Sequence, residues 1–256
     1  MDEKLKAIER LLTIMDELRV SCPWDKKQTF ESLRKLTIEE VYELADAIAK
    51  KDYNAIKEEL GDILLHIVFY SKLGDEVGKF NFADVANYIS DKLIYRHPHI
   101  YGDVKVADAK EVAENWEKLK LKEKKDKKVL DGVPDALPAM VKANRLQEKA
   151  RGVGFDWEEK SQVWDKVNEE LNEVKAEIDK ENNHEKIEAE FGDLLFSVIN
   201  AARLYGIDPE LALERTNRKF IQRFNYLENE TIAKGKSLHD MSLDEMEKIW
   251  QKAKKQ

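Results

Sequence analysis

Carboxylates at two recurring spacings carry the first chemical signal. The chain reads Glu39-Glu40-Val41-Tyr42-Glu43 and then Glu59-Leu60-Gly61-Asp62. Later it reads Glu169-Glu170-Leu171-Asn172-Glu173 and then Glu190-Phe191-Gly192-Asp193. The pattern E-E-x-x-E followed by E-x-G-D thus occurs twice, with 15 and 16 residues between its two parts. Glu40 and Glu43, like Glu59 and Asp62, stand three apart, which puts each pair on one helix face. A turn near Lys51 leaves Glu43 and Glu59 equidistant from it, so an antiparallel hairpin sets them opposite each other. A turn at Glu181-Asn182 does the same for Glu173 and Glu190. Four carboxylates facing inward repel one another and lose hydration, and a cation must offset both. Oxygen-only ligands favour a hard ion, Mg²⁺ first and Mn²⁺ second. Mg²⁺ keeps waters and bridges to phosphates, and further cations recur in order. Lys92 and Arg96 are four apart, as are Lys219 and Arg223, and such side chains suit phosphate oxygens. Trp116 with Lys120, and Trp250 with Lys254, follow at the same spacing, their rings suited to base stacking or to core packing. One E-E-x-x-E alone is an ordinary solvated helix face in a chain with 52 acidic residues. Duplication and the facing geometry give the pattern its weight, and the constellation asks for a nucleotide polyphosphate.

Helices must position these groups, and the apolar spacing is helical almost throughout. Leu5, Ile8, Leu12, Met15 and Leu18 step by three or four and form one face of a first helix. Cys22-Pro23-Trp24 breaks it. A second helix is expected over about 29–50 with Leu33, Leu36, Leu44 and Ile48 inward. A third, capped by Asp52, runs to about Leu73, before a loop marked by Gly74 and Gly78. A fourth spans 82–95, an irregular stretch covers 97–108 with a strand hint only at Val104-Lys105-Val106, and a fifth helix runs through Trp116. The second half repeats the scheme, with helices expected over 138–151, 158–180, 184–205, 209–229 and 243–253. Asp208-Pro209 is an N-cap followed by proline at the first helical position, and Ser242 with Glu245 is a capping box. Between the halves lies EKLKLKEKKDKK, with seven lysines against three acidic residues, then a segment broken by Pro134 and Pro138. A charge run followed by a proline break reads as a linker. The expected organisation is all-α, two tandem homologous helical bundles over 1–120 and 136–256 joined by a Lys-rich linker over 121–135.

Composition agrees. The 256 residues suffice for one large domain or two small ones, and the 42% hydrophobic content builds a core despite 38% charged residues. Ten glycines and five prolines are too few for the many turns of an all-β sandwich. A net charge of −8 argues against a specific nucleic-acid partner. A single cysteine, Cys22, excludes an intrachain disulfide and a Cys-rich zinc site. No apolar run approaches a membrane span, and MDEKLKAIER lacks the continuous apolar stretch of a signal peptide, so a cytoplasmic protein is expected.

Several segments together resemble the MazG proteins. They are CPWD at 22–25, both carboxylate pairs, YRHPHIYGD at 95–103, EKARGVGFDW at 148–157 and TNRKFIQRF at 216–224. The resemblance covers essentially the whole chain, and it is the combination that is specific. It implies a tandem, all-α nucleoside triphosphate pyrophosphohydrolase using Mg²⁺, broad in base and acting on ribo- or deoxynucleotides. It also implies a homodimer and a role in clearing surplus or abnormal nucleotides. Carried over by residue, the metal-ligand positions fall on Glu40, Glu43, Glu59 and Asp62, and on Glu170, Glu173, Glu190 and Asp193. Lys186, Lys219, Arg223, Trp250 and Lys254, with Lys92, Arg96, Trp116 and Lys120, fall on nucleotide or phosphate positions. Glu39, Glu40, Glu169 and Glu170 become candidates for orienting the attacking water, because a carboxylate among others is expected to hold its proton more tightly. One departure stands out: where the second half has Lys186 a turn before Glu190, the first has Ala55, so the second half is expected to be the stronger site.

Two rival readings use the same residues. A di-metal carboxylate oxidoreductase wants two Glu-x-x-His motifs, and the chain offers Glu181-Asn182-Asn183-His184 once, while His66 after Asp62 is matched by Ser197 in the second half. A non-enzymatic helical interaction or regulatory protein needs the amphipathic helices and no metal. A P-loop is excluded, because Gly235-Lys236-Ser237 would need glycine at position 230, which is Glu230.

Overall fold

The computed structural model describes residues 2–108, 111, 112, 115, 116, 119, 128–180, 183–233 and 235–254. The chain divides into two compact units, Met1–Trp116 and Glu117–Gln256. Among the described residues there are helices and turns but no strand.

In the first unit, α1 (Glu3–Ser21) begins at Asp2, whose carboxylate accepts from the Lys4 N–H. The helix α2 (Phe30–Lys50) opens with a reciprocal capping box between Thr29 and Ser32. Only Lys51 and Asp52 separate it from α3 (Tyr53–Glu76). Lys51 adopts φ 58°, the left-handed conformation that ends a helix abruptly, and Asp52 then caps α3 through the N–H groups of Asn54 and Ala55. This connection folds α3 back along α2. α4 (Phe82–Arg96) is capped by Asn81 with Asp84, and the short α5 (Pro98–Tyr101) follows. Met15, Leu33, Val68, Phe69 and Leu73 form the buried core, with Leu11, Leu12, Leu36, Leu65, Tyr70 and Phe82 packed on it.

The second unit holds α6 (Ala139–Arg151), α7 (Gln162–Ile178), α8 (His184–Leu204), α9 (Pro209–Ile232) and α10 (Leu243–Ala253). Asp208 caps α9 with Pro209 in its first turn, and Ser242 and Glu245 form the capping box of α10, both as the sequence indicates. α7 packs along α8, α6 packs on α8 and α9, and α10 packs on α9. Val163, Val174, Ile199, Ala201 and Leu227 are buried.

Several local expectations are corrected. Ile48 is 55% exposed while Ala47 beside it is 4% exposed, so the buried stripe of α2 is one residue out of phase with the apolar one at its end. On α1, Leu5 is exposed and Met15 takes the core position. Gly74 lies inside α3 rather than in a loop: a Cβ there would sit 2.6 Å from the Phe80 ring and 2.7 Å from its carbonyl oxygen. Residues 97–108 include the α5 turn, and Val104–Val106 form no strand. The start of α7 falls at Gln162, not residue 158. The helix through Trp116 is described only at residues 111, 112, 115, 116 and 119, and residues 120–127 of the linker region lie outside the described set, as do Glu181 and Asn182.

Candidate metal and nucleotide site

The two hairpins bring their carboxylates together. In the first unit, Glu40 and Glu43 from α2 and Glu59 from α3 each offer an oxygen within 4.8 Å of the others. In the second, Glu170 from α7 and Glu190 and Asp193 from α8 do the same. The fourth expected member differs between copies. Asp62 stands outside the first trio, yet its charge bears on Glu40 and Glu59. Glu173 stands outside the second trio, with the charges of Glu170 and Glu190 bearing on it.

Electrostatic crowding has the expected sign. Desolvation first, then the charges of Asp62, Glu43, Glu59 and Glu39, push the Glu40 carboxyl above the usual range. Glu59 and Glu173 are raised likewise, by desolvation first and then by neighbouring carboxylates. Each trio is an all-oxygen donor set whose members repel one another, and both properties fit a hard divalent cation. Glu39 is exposed at the edge of the first cluster.

Lys166, which spacing did not single out, sits within the second cluster. Its ammonium lies 2.9 Å from Glu169 and 2.6 Å from Glu170, and those two acceptors hold its pKa well above the ordinary lysine value. Four residues before Glu40, the first unit has Leu36 instead. His66 was likewise invisible as a network member. Its Nδ1 lies 2.8 Å from Thr37 Oγ1, which is also 2.8 Å from the Tyr70 hydroxyl and 3.0 Å from the Leu33 carbonyl. Thr37 Oγ1 thus joins the Leu33 carbonyl, the His66 ring and the Tyr70 hydroxyl in one hydrogen-bonded network. Burial holds the imidazole pKa below its ordinary value against the opposing charge of Asp62.

The cations and tryptophans named from the repeat are distributed differently. Lys186 is exposed on α8, and its charge helps, after Lys180 and Asn183, to hold the Glu177 carboxyl low. Lys219 and Arg223 lie on α9, where Phe220 packs 5.1 Å from the Trp250 ring of α10, and Lys254 follows α10. In the first unit, Lys92 lies over the Tyr88 ring at 5.4 Å, and Arg96 lies over the Trp116 ring at 5.6 Å with His97 edge-on to it at 4.9 Å. Lys120 is outside the described residues. Gly61 and Gly192 do not serve a close helix approach: a Cβ at either would meet nothing within 4 Å.

A cavity of about 720 Å³ opens from the second trio. Glu170, Asp193 and Lys166 line one part of it, and Phe155, Trp157 and Phe196 supply aromatic wall. Lys186, Lys219, Arg223, Trp250 and Lys254 are not among its lining residues. Asp156 and Arg203 brace it through a bidentate pair at 2.5 and 3.1 Å. Burial raises the Asp156 pKa, but the Arg203 and Trp157 hydrogen bonds outweigh it, leaving the carboxyl below its ordinary value. Neither Asp156 nor Arg203 stands in the repeated pattern, and only the GFDW stretch pointed toward the first of them.

Comparison with known proteins matches the same segments. The MazG nucleotide pyrophosphohydrolase domain matches residues 28–101 and again 159–227, each span containing one carboxylate cluster. The chain is 42% identical over 259 residues to the nucleoside triphosphate pyrophosphohydrolase of Escherichia coli K12, covering 98% of each protein. It is 42% identical over 250 residues to the nucleoside triphosphate pyrophosphohydrolase/pyrophosphatase MazG of Thermotoga maritima, covering 96% of this chain and 95% of that one. It is 47% identical over 246 residues to YabN of Bacillus subtilis, covering 94% of this chain and 50% of that protein. With one matched domain in each half and near full-length likeness to the Escherichia coli and Thermotoga maritima proteins, the chain belongs to the MazG nucleotide pyrophosphohydrolase family.

Proposed function

We infer that this protein hydrolyses nucleoside triphosphates to the monophosphate and pyrophosphate with Mg²⁺ as cofactor, Mn²⁺ serving as a substitute. The observation that carries the reading is the pair of carboxylate trios, one of which borders a cavity of nucleotide size. The named relatives support the reaction class. Glu40, Glu43, Glu59 and Asp62, and Glu170, Glu173, Glu190 and Asp193, are the residues that would hold the ion. When bound, Mg²⁺ supplies Lewis-acid polarisation of phosphoryl oxygens. Water adds to the α-phosphorus, the bond from that phosphorus to the α–β bridging oxygen breaks, and pyrophosphate departs. Glu39 or Glu40, and Glu169 or Glu170, orient the water and take its proton. Lys186, Lys219 and Arg223, with Lys92 and Arg96 in the first half, balance phosphate charge.

The physiological role we assign is removal of surplus or abnormal nucleotides with broad base tolerance, by a cytoplasmic homodimer. No described helix is long and apolar enough to cross a membrane. Exposed large side chains such as Tyr53 and Leu243 favour burial against a second copy.

Product analysis tests the assignment. Purified protein with Mg²⁺ and each triphosphate is expected to release pyrophosphate, and Glu190→Gln is expected to lose that release while keeping its helical content. Orthophosphate as the primary product, or full activity in Glu190→Gln, would sink it.

A further inference from the structure

One residue on the wall of the second unit's cavity carries a buried polar atom with no partner inside the protein. Gln147, on α6, is 6% exposed and lines the cavity. Its Nε2 donates to the Phe196 carbonyl at 2.8 Å. Among the described residues, its Oε1 is the buried side-chain polar atom that has no hydrogen-bond partner. Rotating the amide would set its oxygen against the Phe196 carbonyl oxygen, so the main chain fixes the oxygen as the group presented. A buried acceptor left unpaired costs about 1–3 kcal/mol, and such a cost inside a ligand-sized cavity points to a donor that arrives with the ligand. Asn200 adds the complementary group. Arg203 donates through Nε and Nη2 to Asn200 Oδ1 at 3.0 and 2.8 Å, which leaves the amide nitrogen of Asn200, another lining residue, as a donor.

The first half supplies an internal comparison. Gln147 precedes Arg151 by four residues, and Met15 precedes Arg19 by four. Asn200 follows Asp193 by seven, and Phe69 follows Asp62 by seven; Lys166 precedes Glu170 by four, and Leu36 precedes Glu40 by four. Met15, Phe69 and Leu36 pack in the apolar core of the first unit. Three polar cavity residues of one copy are thus apolar core residues in the other. Packing alone is met by the apolar set, so the polar set serves something else.

We propose that the cavity of the second unit receives the nucleobase of the substrate and that Gln147 Oε1 accepts a hydrogen bond from an N–H on the base's Watson–Crick edge, making Gln147 a specificity-determining residue. The proposal rests on the triphosphate reading above, which places phosphates at Glu170 and Asp193 and so directs the base toward the aromatic wall. An acceptor paired with a donor matches the edges of all four common bases, in keeping with broad tolerance. It does not match a base stripped of its donor.

Adenine supplies the probe, because its 6-amino group is the only donor on that edge and purine riboside lacks it. Equilibrium dissociation constants for AMP and purine riboside 5′-monophosphate are measured by calorimetry on the full chain, together with KM and kcat for the two triphosphates. The unaltered protein is expected to favour the adenine compound about fivefold or more in both Kd and KM. In Gln147→Met, the first half's own residue, that ratio is expected to fall to about one in both Kd and KM. An unchanged ratio in the variant, or a ratio near one in the unaltered protein, overturns the proposal. Failure of AMP to bind overturns it as well. Monophosphate binding needs no hydrolysis, so a protein that discriminates the pair but releases no pyrophosphate would refute the reaction and leave base reading standing.

Discussion

Asp156 and Arg203 illustrate how a single pair ties the cavity wall to pH. Their side chains are largely buried, at 18% and 7% exposure, and the carboxyl titrates below its ordinary value. A group depressed in the folded state stabilises it fully above the unfolded pKa of about 4 and loses that contribution as pH falls through the folded value. Asp156→Asn is therefore expected to cost about 2–4 kcal/mol at pH 7, and the difference from the unaltered protein is expected to shrink below pH 4. Urea titrations at pH 7 and pH 3 read both quantities, and a cost independent of pH would contradict the assignment. Glu173 offers the complementary case. It is exposed and outside its trio, so Glu173→Gln is expected to leave the fold intact, with an unchanged thermal midpoint, while removing turnover supported by the divalent ion; full turnover in that variant would contradict its role.

The hairpins set the height at which carboxylates meet, and their connections can be tested directly. Lys51 holds a left-handed conformation that favours glycine, so Lys51→Gly is expected to stabilise the first unit by about 1 kcal/mol. Gly74→Ala is expected to destabilise it by about 1–3 kcal/mol, since the new methyl meets both ring and carbonyl of Phe80. Thermal melts followed by circular dichroism distinguish the two signs. Caps at Asp52, Asp208 and Ser242 were legible in the sequence because capping is decided within a few residues. The facing of Glu43 and Glu59 was legible for a related reason: equal distance from a short turn fixes it without knowledge of the rest of the fold. Gln147 and Lys166 were not legible. An amide oxygen becomes significant only once its nitrogen is seen to be committed to Phe196, a residue 49 positions away. Ile48 misled because apolar character and burial coincide only when a neighbouring element covers that face.

At the scale of the whole molecule, the chain is two copies of one plan that have parted company at particular positions. Division into two compact units predicts that 1–116 and 128–256, expressed separately, each keep their helical content; loss of helix in both would mean the units do not fold alone. The difference at Lys166 carries a consequence for that pair. One copy brings its own permanent counter-charge to the acid cluster, whereas the other places Leu36 at the matching position and has none there. Chelation will therefore fall unevenly. In EDTA the Met1–Trp116 half is expected to melt earlier by several degrees, while the half containing Lys166 shifts less, and Lys166→Met is expected to erase the disparity. The tethered ammonium acts as a resident understudy, keeping its fold composed whenever the divalent ion is away.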